Sequence, residues 1–211
     1  MNKEFFYNLK MLLFVPICFW MINFCRNSNG RSQTIIIMAI SMFYIGLITY
    51  FLSKGEKYKY IDRILHIKVD FWKILKLTLE SFILGFIIIC ICKIINNELE
   101  ISFFYKNINF LESIIWAIVI SIIGELTFRN LLCENVRWVT KQKSIAIIFS
   151  SIMASMACGN LLLALYTLPL NVENAEAFLE DENFIERVCK NIMFSIISIL
   201  VLGILLKGKL S

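Results

Sequence analysis

The segment FLESIIWAIVISIIGELTFRNLLC, residues 110–133, decides the fold class of this chain. Between residues 114 and 124 it holds one serine, one glycine and otherwise only apolar side chains. A helix needs about 20 mostly apolar residues to cross the hydrocarbon core of a bilayer. The segment therefore predicts a membrane-spanning helix, and its second half carries two ionisable residues, Glu125 and Arg129.

The composition of the whole chain supports a membrane protein. Of its 211 residues, 59% are hydrophobic and 18% are charged, whereas soluble domains average about 45–50% apolar and about 25% charged residues. A count of 18 Phe against only 2 Pro also excludes an intrinsically disordered chain. We therefore predict an all-α fold, a polytopic membrane helical bundle.

Apolar blocks along the chain predict about six transmembrane helices. We expect two regions: residues 1–109, with the N-terminal helices and a basic connection, and residues 110–211, a second membrane domain. The predicted spans are 5–25, 34–52, 77–95, 110–133, 145–168 and 188–206.

The distribution of cations predicts the orientation. Most of the 21 Lys and Arg residues fall in connections that six spans would place on the same side as both termini. Cytoplasmic loops carry such an excess, so we predict a multi-pass protein of the cell (plasma) membrane with both termini in the cytoplasm and the acidic segment 173–186 outside.

Residues 54–76 alternate cations with apolar residues and predict an amphipathic helix on the inner leaflet. The net charge of +5 then reflects contact with the lipid bilayer, and no nucleic-acid partner is expected.

Three polar residues of the basic connection allow two interpretations. Asp62, His66 and Asp70 are spaced four residues apart and would share one helical face. They could ligate a metal, or they could form a solvated polar face paired with lysines. Because no fourth ligand is nearby, the solvated face is the preferred interpretation.

The candidate functional residues are Glu125 and Arg129. Their i, i+4 spacing lets them meet on one face, and ionisable groups within a span normally face the interior of the bundle. They are either functional groups or a structural ion pair that joins two helices. In the following block small residues recur every fourth position, as Ala146, Ser150 and Ala154 do, which predicts a helix that packs closely against the Glu125 helix. Cys158 is predicted to be a packed thiol, with a metal ligand or nucleophile as the alternative.

These motifs resemble the CAAX protease and bacteriocin-processing (CPBP, or Abi) family of intramembrane metalloproteases. Residues 124–130, GELTFRN, resemble the family's Glu-Glu-x-x-Phe-Arg-Gly motif; residues 145–158 resemble its Phe-x-x-x-His helix; residues 202–210 resemble its C-terminal glycine-rich helix and turn. The resemblance covers residues 110–211. It implies a metal-dependent endopeptidase, with Zn or another divalent ion, in which a glutamate activates water and histidines hold the metal.

This chain departs from the motifs at the positions that carry that chemistry. Gly124 stands at the first glutamate, Ala154 and Cys158 stand at the Phe and His positions, and the family's last His motif has no counterpart. The single His of the chain, His66, lies in another region. A metalloprotease needs about three protein ligands and an open position for water, so we expect a degenerate, C-terminally short member without a metal or cofactor.

Three functions remain open at this stage. The first is a pseudoenzyme that binds a membrane protein or a bacteriocin-type peptide, in bacteriocin self-immunity or envelope-protein regulation. The second is an active endopeptidase or acyl-transfer enzyme that uses Glu125 as the base. The third and least favoured is a transporter subunit, because few polar residues line the predicted spans.

Overall fold

The computed structural model describes residues 15–20, 39–48, 69–95, 110–180 and 183–207, and every regular element in those ranges is helical. In chain order they are α1 (15–20), α2 (Ala39–Ile48), α3 (Phe71–Ile95), α4 (Phe110–Gly124), a π-helical segment (Glu125–Cys133), α5 (Glu134–Thr140), α6 (Lys143–Met156), α7 (Leu161–Leu179) and α8 (Phe184–Lys207). The all-α prediction is confirmed for these residues.

Two of the described helices are long and apolar enough to span a membrane, Phe71–Ile95 and the continuous run Ile114–Thr140. At 1.5 Å per residue they measure about 37 and about 40 Å, more than the ~30 Å hydrocarbon core. Ala39–Ile48 and Lys143–Met156 are shorter apolar helices. The bundle of six spans is therefore not confirmed. The predicted spans 5–25 and 34–52 lie mostly outside the described residues.

The predicted span 145–168 is wrong, because it consists of two helices. The backbone turns at residues 157–160, where Gly159 adopts a φ of 67° that a residue with a side chain rarely takes. The side chain of Asn160 then accepts hydrogen bonds from the backbone N–H groups of Leu162 and Leu163 and caps α7. α6 and α7 form a helical hairpin, and the continuous apolar sequence conceals the turn between them.

The prediction that the acidic segment 173–186 connects two spans is also wrong. Helix α7 continues to Leu179 and α8 begins at Phe184, so Glu173 lies within one helix and Glu186 within the next. The predicted amphipathic connection lies outside the described residues as far as residue 68. Its last residues, from Phe71, belong to α3 itself.

The hairpin decides the direction of every later helix. Helix α7 runs antiparallel to α3, since Ser81 bonds Glu173 and Gly85 meets Tyr166. Helix α8 then returns parallel to α3, and the backbone N–H of Asp70 donates to the Glu186 carboxylate at 3.2 Å. The starts of α3 and α8 thus lie together; we call this side of the bundle the Asp70 end.

The Ile114–Thr140 run and α6 can be placed relative to the same Asp70 end. Cys133, Ala146 and Leu179 form one buried cluster, so the end of the Ile114–Thr140 run, the start of α6 and the end of α7 also lie near the Asp70 end. Further from it, Tyr166, Phe194 and Phe82 pack as an aromatic cluster between α3, α7 and α8. The π-helical segment sits in the centre of this arrangement, and all nine of its residues are buried.

Candidate functional site

Glu125 begins the π-helical segment and is 1% exposed. The Nε–H of Arg187 on α8 donates to its Oε2 at 2.9 Å, and Nδ2 of Asn191, one turn further along α8, donates to its Oε1 at 3.0 Å. Both carboxylate oxygens therefore hold a donor from another helix. A charge-assisted bond of this kind is stronger than a neutral one and fixes the separation of the two helices.

Arg129 meets Glu125 as the sequence predicted, but the contact is long. Its Nε lies 3.9 Å from Glu125 Oε1, an ion pair beyond hydrogen-bond distance. Its Nη2 donates to Asn171 at both the backbone oxygen, 2.9 Å, and Oδ1, 2.7 Å, and its Nη1 donates to the Ser150 carbonyl at 3.4 Å. The two predicted site residues lie side by side, yet each is held mainly by a different helix.

Asn171 joins the hairpin to the site. Besides the bonds from Arg129, its carbonyl accepts from Ser151 Oγ at 2.9 Å, and its own Nδ2 donates to Ser155 Oγ at 2.9 Å. The small residues of α6 that face this region, Ser150 and Ser151, are fully buried. The prediction that this small-residue helix packs against the Glu125 helix is confirmed, because a small side chain allows both the close approach and the bonds to Arg129 and Asn171.

A second ion pair, between a buried lysine and a half-buried glutamate, joins α7 and α8. Lys190 Nζ donates to Glu173 Oε1 at 3.0 Å, and Ser81 Oγ of α3 donates to Glu173 Oε2 at 2.6 Å. The Lys190 side chain is 1% exposed. These polar contacts join α3, α7 and α8. Lys190 directly precedes Asn191 in the sequence of α8, so the two polar clusters lie at neighbouring positions of that helix.

A cleft of about 130 Å³ opens beside these groups. Glu125, Arg129, Asn171 and Asn191 form its polar wall, and the rest is mainly apolar. Cys158 also lines the cleft, and its Sγ contacts Thr167 Oγ1 at 3.6 Å. The cleft is lined by residues from α4, the π-helical segment, the α6–α7 hairpin and α8, which include Ile120, Phe128, Ala154, Leu170 and Phe194.

The residues around Glu125 do not fit the metal that the resemblance implies. The charged groups nearest to it are two guanidinium ions, which have no lone pair to donate and repel a cation. Asn191 directs its NH₂ to Glu125, and its Oδ1 accepts from Asn174 Nδ2 at 2.9 Å. A hydrolytic metal needs about three protein ligands, and among the described residues no three His, Cys, Asp or Glu side chains come together.

The structure describes one of the three residues, Asp62, His66 and Asp70, that were considered as a second possible metal site. The Oδ1 of Asp70 accepts from the backbone N–H groups of Trp72 and Lys73, both at 3.1 Å, so Asp70 caps the start of α3. Asp62 and His66 lie outside the described residues.

The sequence-based prediction missed four polar partners: Arg187 and Asn191, which hold Glu125, and the pair Lys190 and Glu173. Arg187 and Lys190 are buried, and Asn191 and Glu173 are half-buried. The missed signal is their spacing, since Arg187 and Asn191 stand four residues apart on one helical face. Their contacts with Glu125 could not be expected, because a single span over 145–168 would make α8 antiparallel to α3. The structure has α3 and α8 parallel.

No known protein family, curated protein or solved structure matches this chain.

Proposed function

We propose that this chain is a multi-pass membrane protein that resembles the CPBP family, has lost that family's hydrolytic chemistry, and acts by binding. Its partner is a membrane protein or a bacteriocin-type peptide, and its role is self-immunity or regulation of an envelope protein. The Asp70 end, with Lys73, Lys76, Arg137, Lys141 and Lys143 near it, faces the cytoplasm, because cations concentrate there.

One observation carries the proposal: both oxygens of Glu125 are engaged by donors from α8, at 2.9 and 3.0 Å. A catalytic carboxylate needs a lone pair directed at water or at a metal, with the reacting atom held nearby. Here its neighbours are two guanidinium groups, which act as a scaffold around the carboxylate. A chain in which these side chains hold Glu125, and no metal or water is activated there, would keep the helical fold and the cleft, and both could serve to bind a partner.

The experiment compares the full-length protein in detergent with its Glu125→Gln variant. Apolar peptides are incubated with each protein, with and without added Zn²⁺ and with and without a chelator. We expect no cleavage by the wild type above the rate of the variant. Cleavage that depends on Glu125 and stops with the chelator would contradict the proposal.

A protection assay tests the binding role. Bacteria that produce the chain are challenged with bacteriocin-type peptides, and survival is compared with cells that produce the double variant Glu125→Leu/Arg187→Met at equal membrane levels. A binding scaffold keeps its protection without the carboxylate, since an apolar pair of similar volume can replace a buried ion pair. Protection that vanishes in the folded double variant would show that the carboxylate itself acts.

The enzyme reading is supported by one specific observation. Glu125 and Cys158 line the same cleft, so a general base and a thiol lie on a shared wall. In an acyl-transfer role the Cys158 thiol would lose its proton to Glu125 and attack the carbonyl of an acyl thioester. The acyl group would pass to Cys158, and the released thiolate would take the proton from Glu125. A mass increase on Cys158 after incubation with an acyl thioester, lost in Glu125→Gln, distinguishes this alternative from binding.

A further inference from the structure

The corner between α5 and α6 carries a local excess of positive charge. The chain turns there through Lys141, and α6 begins at Lys143. Both lysines are exposed, and neither forms an ion pair within the ranges that the structure describes. The side chain of Arg137, in the last turn of α5, is 42% exposed, and its Nη1 lies 3.9 Å from Glu134 Oε2. We call Arg137, Lys141 and Lys143 the cationic corner.

Exposed apolar side chains accompany these cations. Trp138 is 43% exposed and Val139 is 59% exposed, and both directly follow Arg137 in the sequence. Tryptophan at the end of a span prefers the headgroup level of a bilayer, and Lys and Arg at that level attract anionic lipids. The cationic corner therefore has the composition of a surface that contacts lipid headgroups.

An apolar stripe continues from the cationic corner along α6. We call α6 stripe the five large side chains that this helix exposes, Ile145, Ile148, Phe149, Ile152 and Met156. Their spacing of three or four residues, or one turn, puts them on one face of the helix. From the first to the last of them the helix rises about 16 Å, and one leaflet contributes about 15 Å of the hydrocarbon core. The α6 stripe thus has the length of the acyl region of one leaflet.

The composition of the α6 stripe favours a lipid over another helix. Helix interfaces in a membrane are rich in small residues, because these let the two backbones approach closely. The small residues of α6 lie on its opposite, buried side and pack inside the bundle: Ala146, Ser150, Ser151 and Ser155. The α6 stripe consists of Ile, Phe and Met, so it offers a second copy of the chain no site of close approach.

We propose that one anionic phospholipid binds along α6, with its headgroup phosphate at the cationic corner and an acyl chain on the α6 stripe. The corner selects an anionic lipid, because a zwitterionic headgroup brings a cation of its own next to these cations. The inference goes beyond the proposed function. It uses only the membrane location stated there, with the Asp70 end at a membrane surface, and none of the binding role.

Native mass spectrometry of the full-length protein in detergent tests the proposal. Delipidated protein is titrated with phosphatidylglycerol, or with phosphatidylcholine that carries the same acyl chains. The variant Lys141→Gln/Lys143→Gln removes two exposed lysines from the cationic corner. Lys73→Gln/Lys76→Gln is the matched control, because it removes two exposed lysines from α3 at the same end of the bundle.

We expect the wild type and the α3 control to bind phosphatidylglycerol at a roughly tenfold lower concentration than phosphatidylcholine, since each cation strengthens binding to an anionic lipid several-fold. The corner variant should bind both lipids at the same concentration. Phosphatidylglycerol with a diazirine in one acyl chain should label the α6 stripe of the wild type, and it should label the corner variant less.

Equal binding of the two lipids by the wild type would overturn the proposal, as would a loss of preference in the α3 control equal to that in the corner variant. Displacement of phosphatidylglycerol by inorganic phosphate would assign the corner to a free anion instead. A disulfide between two copies of a single-cysteine Ile148→Cys variant in vesicles would assign the α6 stripe to a second copy of the chain. Failure of the protection assay refutes the binding role and leaves the lipid preference unchanged, so the two proposals fail separately.

Discussion

At the scale of single residues, the buried charges hold the centre of the molecule together. Arg187 is 2% exposed and its guanidinium carbon also lies 5.2 Å from the centre of the Phe178 ring. Each charge is buried only because the other is present, since an unpaired ion in such a place costs several kcal/mol. Glu125 and Arg187 should therefore behave as one unit when either is replaced.

We expect Glu125→Ala and Arg187→Ala each to lower the free energy of unfolding by ~3–5 kcal/mol, because each leaves an uncompensated buried charge. The double variant Glu125→Leu/Arg187→Met should lose much less than the sum of the two single losses. Unfolding of the detergent-solubilised protein with increasing SDS measures these differences. Glu176→Ala removes an exposed carboxylate from α7 and serves as the control. Additive losses in the double variant would contradict a coupled pair.

At the scale of elements, the crossing of α3 and α7 depends on one glycine. A Cβ placed on Gly85 would lie 2.3 Å from the backbone oxygen of Tyr166 and 2.8 Å from its ring. The backbone of a helix cannot move aside as a flexible side chain can. Small residues at such crossings let helices approach closely in a membrane, and here the approach also brings Ser81 within reach of Glu173.

Gly85→Ala should therefore destabilise the protein by ~1–3 kcal/mol, as expected for overpacking, and should weaken the contact between Ser81 and Glu173. Thermal unfolding in detergent measures the loss. Gly46→Ala is the matched control, because a Cβ there meets nothing within 4 Å, and alanine has a higher helix propensity than glycine. A loss in Gly46→Ala equal to that in Gly85→Ala would show that the crossing is not the cause.

At the scale of the whole molecule, the α6–α7 hairpin changes the topology. Helix α6 rises only about 21 Å before the chain turns back. The end of α7 and the start of α8 therefore return to the Asp70 end, beside the cationic end of the Ile114–Thr140 run. The orientation predicted from six spans put these same residues on the opposite side of the membrane.

Cysteine labelling distinguishes the two topologies. In a background with every native Cys replaced by Ser, we expect Glu180→Cys and Lys143→Cys to react with a membrane-impermeant maleimide from the same side, and Lys93→Cys from the other. Glu180 and Lys143 are both exposed, so lack of access will not hide them. Labelling of Glu180→Cys together with Lys93→Cys would support the topology expected from six simple spans.

The sequence alone predicted the all-α class of the fold and two residues of the candidate site. Apolar residues in blocks of membrane-spanning length require helices, because lipid offers no partner for backbone N–H and C=O groups, and Glu125 and Arg129 stood out because charge is costly there. The partners of these residues were decided only by the tertiary structure. Gly159 turns the chain inside a continuous apolar block, and that turn reverses α8 and brings Arg187 and Asn191 to Glu125. Hydropathy records which residues avoid water, and it carries no information on which buried helix runs beside another or in which direction.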